Sequence, residues 1–301
     1  MILVKTFLKN NFLLIFSFLI LFSLFIVSTY NYQKEMEATE RLSEKVKKEC
    51  KSEEVVDEER NEFCKSVMEK DYSEKSFYYA FQEIEYFTFN RVSFLLFILI
   101  VTPSIFFTSR YMKNKMIINE ATRCDYKHSL ANYFKKAYRP VFIVPLLILL
   151  SFGTAYLLTG NFNVGTKYIN SIPWTANFVS NPWVFITLFI LNAIVLSFLY
   201  INVSLIVVRK NHNFFVTLIL SFLLLYGYDI FLEIFMGGIL FTVIFHSDFA
   251  VYFNVLNVAN FNDTLGLIAP FVVPGISLIL SFIILFFKYR NKEKLIIDCE
   301  K

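Results

Sequence analysis

The chain has 301 residues, 56% of them apolar and only 18% charged, with a formal net charge of +4. Soluble domains sit near half apolar and a quarter charged, so a soluble enzyme, a nucleic-acid binder and a disordered scaffold are excluded as readings of the whole chain. Uncharged runs from Asn10 to Gln33, Val92 to Ser109, Pro140 to Thr166, Tyr168 to Val208, Asn211 to Tyr228 and Thr264 to Phe287 set the class. A run of about 18 such residues or more is a candidate membrane span, and the sequence predicts an all-α polytopic membrane protein.

The opening Met1–Lys9 carries Lys5 and Lys9 and is read as an interfacial segment ahead of the first span, Phe12–Thr29. That span is too long for a secretory signal core, and no small-x-small cleavage site follows it, so it is expected to be retained. Residues 30–90 follow, with 16 acidic and 10 basic side chains. No Gly or Pro precedes Pro103, and Glu37 with Arg41 and Glu44 with Lys48 stand at the i,i+4 spacing of a solvated helix. A helical hairpin projecting outside the cell, turning near Lys51–Glu54, is expected, with an extended, partly ordered charged linker as the alternative. Cys50 and Cys64 flank that turn, and only this pair is placed where a disulfide persists; two free thiols are the alternative.

The remaining spans are predicted at Val92–Ser109, Val141–Thr159, Val184–Val208, Asn213–Met236 and Leu267–Phe287. The stretch with Pro173, Trp174, Asn181 and Pro182 reads as an interfacial loop. Basic residues crowd alternate connections. Arg110, Lys113, Lys115, Arg123, Lys127, Lys135, Lys136 and Arg139 lie between spans two and three, Arg209 and Lys210 after span four, and Lys288, Arg290, Lys292, Lys294 and Lys301 after span six. The positive-inside rule then puts both termini in the cytoplasm of a six-span, multi-pass protein of the cell membrane.

Within the cytoplasmic loop 110–139, Met116, Ile117 and Ile118 form an apolar cluster ahead of Glu120 and Arg123, which suits a helix gripped by a partner. Ser129 is read as the N-cap of a second helix, Leu130–Tyr138, whose apolar face would lie on the anionic leaflet. In span five, Asp229 and Glu233 stand one helical turn apart. Carboxylates at membrane depth usually face a protein interior or a wet cavity, which makes this pair a translocation-path or subunit-interface candidate. The alternative is that both sit at the outer headgroup level, since Glu233 lies about 30 Å above Asn213. Gly237-Gly238 is expected to break the helix, leaving residues 237–258 as a re-entrant external hairpin. No phosphate-binding loop, zinc spacing or hydrolase motif occurs. No catalytic, cofactor or metal residue is therefore assigned, and the chain is not read as an enzyme.

This layout resembles the permease subunits of ABC-2 type ABC exporters, on the strength of Met1–Lys9, Met116–Lys127 and residues 237–258. Permeases with an insertion like 30–90 look similar to those of bacterial peptide or antimicrobial-peptide export and self-protection systems. The resemblance implies a dimer with a second permease copy or homologue, and a separate ATPase that supplies ATP and Mg. It makes Met116, Ile117, Ile118, Glu120 and Arg123 the coupling residues and a peptide or amphipathic, lipid-like molecule the cargo. Two other readings stand beside it: a sensor or immunity protein that binds a ligand through its external projection without transport, and a stand-alone secondary transporter.

Overall fold

The computed structural model describes residues 2–52, 76–85, 93–162, 181–247, 249, 253–256 and 269–300. Every regular element among them is helical: α1 (Ile2–Ser52), α2 (Phe77–Glu85), α3 (Ser93–Lys113), α4 (Met116–Arg123), α5 (Tyr126–Ala137), a 3-10 turn (Arg139–Phe142), α6 (Ile143–Thr159), α7 (Pro182–Val208), α8 (Phe214–Phe231) continued as a π-helix (Leu232–Ile244), α9 (Ala269–Arg290) and α10 (Lys292–Glu300). Among the described residues six helices are long and apolar enough to cross a membrane: the larger part of α1, then α3, α5–α6, α7, α8 with its π continuation, and α9. They fall where the uncharged runs predict.

The helix ends follow local chemistry. Asn181 caps α7, its side chain accepting from the Trp183 and Val184 amides, and Pro182 occupies the first turn, where its missing N–H leaves nothing unsatisfied. Asn213 caps α8 in the same way through Phe215 and Val216. Gly160 ends α6 at φ 74°, a left-handed backbone that suits glycine. Helix α1 leaves helical geometry once, at Asn11 (φ −118°, ψ 16°), so residues 2–10 form a separate helix that meets the span at an angle. From Phe12 onward nothing interrupts it.

Helix α7 is the hub and packs against α3, α6, α8 and α9, while α1 lies against α2, α3 and α6. Lipid tails give apolar side chains no reason to cluster, so close packing and interhelical hydrogen bonds must hold such a bundle. Both are present.

Two expectations need correction. Residues 30–90 are read from sequence as one solvated projection, yet α2 sinks into the bundle. Phe77, Tyr78, Ala80, Phe81 and Ile84 are fully buried. Phe77 meets Phe152 and Phe162 edge-on at ring-centroid distances of 5.0 and 4.9 Å, and Phe81 meets Phe189 at 5.4 Å. Phe189 is the eighth residue of α7, so α2 reaches about 10 Å below that helix's start. The physical reason is composition, because Phe77–Phe81 concentrates aromatic surface that water does not solvate. Of the turn expected near Lys51–Glu54, Lys51 and Ser52 still belong to α1, while Glu53, Glu54 and Cys64 lie outside the described residues, as do Pro173 and Trp174.

The second correction concerns Gly237-Gly238, where the chain does not leave the helix. From Leu232 the ladder changes from α to π and runs to Ile244, with Thr242 Oγ1 donating to the Gly237 carbonyl at 2.9 Å. The wider π turn accommodates the glycine pair without a break. The turn comes later, at Phe245–Ser247, where His246 takes φ 48°. The chain then returns beside the π segment, with Phe249 and Phe253 against Phe241 at 5.7 and 4.9 Å.

Candidate functional site

The connection from α3 to α6 meets the bundle at its basic end, where Arg110, Lys113, Arg209, Lys210, Lys288 and Arg290 also gather at helix termini. Helix α4 starts from Lys115, which adopts a left-handed backbone at φ 53°. That residue turns the chain sharply off the end of α3. Cys124, extended at the far end of α4, turns it again into α5.

Helix α5 begins at Tyr126 rather than beyond Ser129. Ser129 is a buried interior residue whose hydroxyl returns to the Asp125 carbonyl. The apolar face of α5 does not lie on a leaflet either. Tyr133 is fully buried among Tyr111, Phe107 and Tyr289, and Phe134 meets Tyr289 at 5.2 Å. Lys136 lies over the Phe107 and Tyr111 rings at 5.6 Å from each centroid, a cation–π contact that seats the same helix on α3. The protein's own core has taken the surface that the sequence pattern offers to lipid.

A directional hydrogen-bond network then fastens α5 to α7 and α9. The Tyr138 hydroxyl donates to Asn202 Oδ1 at 2.6 Å, and Asn202 Nδ2 donates to Ser281 Oγ at 2.8 Å. Ser281 passes its own proton to the Leu278 carbonyl. Tyr289 donates to the Leu205 carbonyl at 2.9 Å, so Tyr133 is the donor in its 3.4 Å contact with Tyr289. Tyr126 donates to the Tyr289 carbonyl, and the guanidinium of buried Arg209 lies over the Tyr289 ring. Asn202 is completely buried, and an amide in an apolar bundle must find such partners. Sequence reading misses these residues. The usable signal is an Asn and several Ser at helical spacing inside an otherwise apolar span, which marks a helix face turned toward protein.

The residues proposed for coupling separate by exposure. Met116 is 45% exposed, whereas Ile117 is fully buried and Ile118 packs against the core. Ile117 therefore holds α4 to its own bundle and is not available to a partner. Glu120 is half-buried and Arg123 exposed. The outward surface of the elbow thus includes Met116, Arg123 and the exposed basic residues Lys127 and Lys135 of α5, with exposed Asp125 between the two helices.

Asp229 and Glu233 also part company. Asp229 is buried, and its Oδ1 accepts from the backbone amides of Val255 at 2.9 Å and Leu256 at 3.2 Å. It clamps the returning chain to α8, which satisfies two amides that have no ladder partner. Glu233, in the first turn of the π-helix, is exposed beside exposed Ile230, Ile234 and Phe235. The two carboxylates do not line one common surface. Above Asn202, Tyr228 donates to Ser277 Oγ at 2.8 Å, since Ser277 gives its proton to the Val273 carbonyl, and this joins α8 to α9. No cluster of three or more His, Cys, Asp or Glu side chains placed to hold a metal occurs among the described residues.

Compared with protein-family models, with curated proteins and with solved structures, the chain matches none of them.

Proposed function

We propose that this chain is the permease subunit of an ABC-2 type exporter, working as a dimer in a bacterial cell membrane with a separate ATPase on the side of the basic residues. One observation carries the reading. The connection between the second and third spans is a two-helix elbow, anchored inward through Ile117, Tyr133 and Tyr138 and bare outward at Met116 and Arg123. A part that must receive force from a soluble motor and pass it to spans requires that combination of one free face and one fixed face. The network through Asn202 and Ser281 is the path by which α5 would move α7 and α9. A peptide or an amphipathic, lipid-like molecule is the cargo class that the apolar spans suit. The outer end of α1 and the chain between it and α2 would stand outside the cell with Cys50 bridged to Cys64, which closes a loop of about 15 residues worth ~3 kcal/mol in the chain-entropy model. Mass spectrometry of non-reduced peptides finding both thiols free would overturn that bridge.

The test separates the two faces of α4. With a co-expressed ATPase that copurifies with the native chain, Met116→Asp is expected to abolish copurification and leave thermal stability unchanged. Ile117→Asp should lower stability first, because it buries a charge. Charge reversal at Arg123 should weaken coupling mildly, since such pairs at a rim are often worth under ~1 kcal/mol. A Met116→Asp chain that keeps its ATPase and full transport would refute the coupling role.

A further inference from the structure

The 3-10 turn before α6 sits at a level that two helices fix independently. Helix α6 has 17 residues, about 26 Å at 1.5 Å each, which is short of a hydrocarbon core of about 30 Å. Adding the four residues Arg139–Phe142 at about 2 Å each brings the span to about 34 Å, so Arg139 stands at the boundary. Phe142, three residues on, is 70% exposed, and exposed Leu146, Leu149 and Leu150 follow it. Helix α1 gives the same level. Its kink is at Asn11, and exposed Phe12, Phe16 and Leu19 begin immediately after. The Arg139 guanidinium donates to Asn11 Oδ1 at 3.1 Å, which ties the two boundaries together.

Arg139 is exposed there, and Lys135, one helical turn earlier, is exposed as well. Among the described residues neither has a carboxylate within salt-bridge distance. Asn11 holds one nitrogen of the guanidinium and leaves the rest of its planar donor fork free, a geometry that matches phosphate oxygens. Exposed phenylalanines on both helices begin on the apolar side of that fork. A fixed cation beside a second cation, with aromatic surface starting one residue deeper, has the polarity profile of a phospholipid seen edge-on.

We propose that the elbow of Asn11, Lys135 and Arg139 is a binding site for the phosphate of an anionic phospholipid, whose acyl chains run along Phe12 and Phe142. The site does not depend on transport or on any ATPase. In the test, the full chain in detergent is titrated with dioleoyl phosphatidylglycerol or dioleoyl phosphatidylcholine, and bound lipid is counted by native mass spectrometry. The native chain should retain the anionic lipid about fivefold or more over the zwitterionic one. Arg139→Gln should remove most of that preference, Asn11→Ala less of it, and Arg139→Lys an intermediate part, because the charge survives and the fork does not. Exposed Lys135→Gln gives a second measure should Arg139→Gln fail to fold. Lys210→Gln, which changes an exposed cation at the α7–α8 turn, should leave the preference intact. Equal retention of the two lipids by the native chain would overturn the site. So would a loss in Lys210→Gln as large as in Arg139→Gln, which would mean that any surface cation serves.

Discussion

The short helices at the two ends of the bundle are seated differently: α5 by ring packing together with directional hydrogen bonds, α2 chiefly by ring packing. At the basic end, α5, α7 and α9 are joined by named donors and acceptors: Tyr138 to Asn202, Asn202 to Ser281, and Tyr289 to Leu205. At the opposite end α2 is held by aromatic edges, with Phe77 and Phe81 against Phe152, Phe162 and Phe189. Hydrogen bonds fix direction and register, whereas packed rings fix volume and tolerate sliding. An end built from directional bonds transmits a rotation between helices, and an end built from rings can reshape around what it touches.

Substitutions distinguish the two modes. The largest effect is expected at Phe81→Ala, which empties a fully buried site between α6 and α7. Truncations of this kind cost about 3–5 kcal/mol in well-packed cores, and thermal unfolding in detergent should show the loss. If Phe81→Ala unfolds like the native chain, α2 is not part of the core. Next comes Asn202→Leu, which strands the Tyr138 hydroxyl and takes from Ser281 the donor that Asn202 supplies. Membrane hydrogen bonds average about 0.6 kcal/mol and reach about 1.7, so stability should fall less than for Phe81→Ala. Helix α5 should nevertheless lose amide-exchange protection more than α2 does; equal loss in both would mean that the network is not local to its end. Asp229→Ala should raise exchange at the Val255 and Leu256 amides specifically, while Asp229→Asn should retain much of their protection because an acceptor oxygen remains. The smallest effect is expected for Tyr289→Phe, which removes the donor to Leu205 and the weak contact with the Tyr133 hydroxyl, for about 0.5–1 kcal/mol in the same unfolding assay.

The bundle itself was legible in the sequence, because a bilayer demands uncharged runs of a set length and α3, α6, α7 and α9 begin and end within a few residues of the spans predicted from those runs. The short helices of the basic connection were legible too, through the apolar cluster at Met116–Ile118. What periodicity could not provide was the identity of the surface that each apolar face meets. Ile117 and Met116 look alike in sequence, yet one is fully buried and the other is not. The face containing Tyr133 fits a leaflet as well as a protein groove, and only the positions of Tyr111 and Tyr289 decide between them. Charge misled at residues 76–85, where the acidic neighbourhood hid an aromatic segment that belongs to the core. The π ladder after Phe231 has no sequence signature beyond its glycine pair, and that pair reads more readily as a break.

Helix α1 has a mechanical consequence. From Asn11 to Ser52 it runs without a helix-breaking residue for about 62 Å at 1.5 Å per residue, twice the thickness of a hydrocarbon core. One end is hinged by its own kink and pinned to Arg139, and the other stands beyond the last residues that the bundle buries. Such an element is a long oar in a short rowlock. A tilt of about 5° at Asn11 carries the Ser52 end sideways by about 5 Å at that length, so an adjustment too small to see at one face of the membrane becomes the width of a side chain at the other.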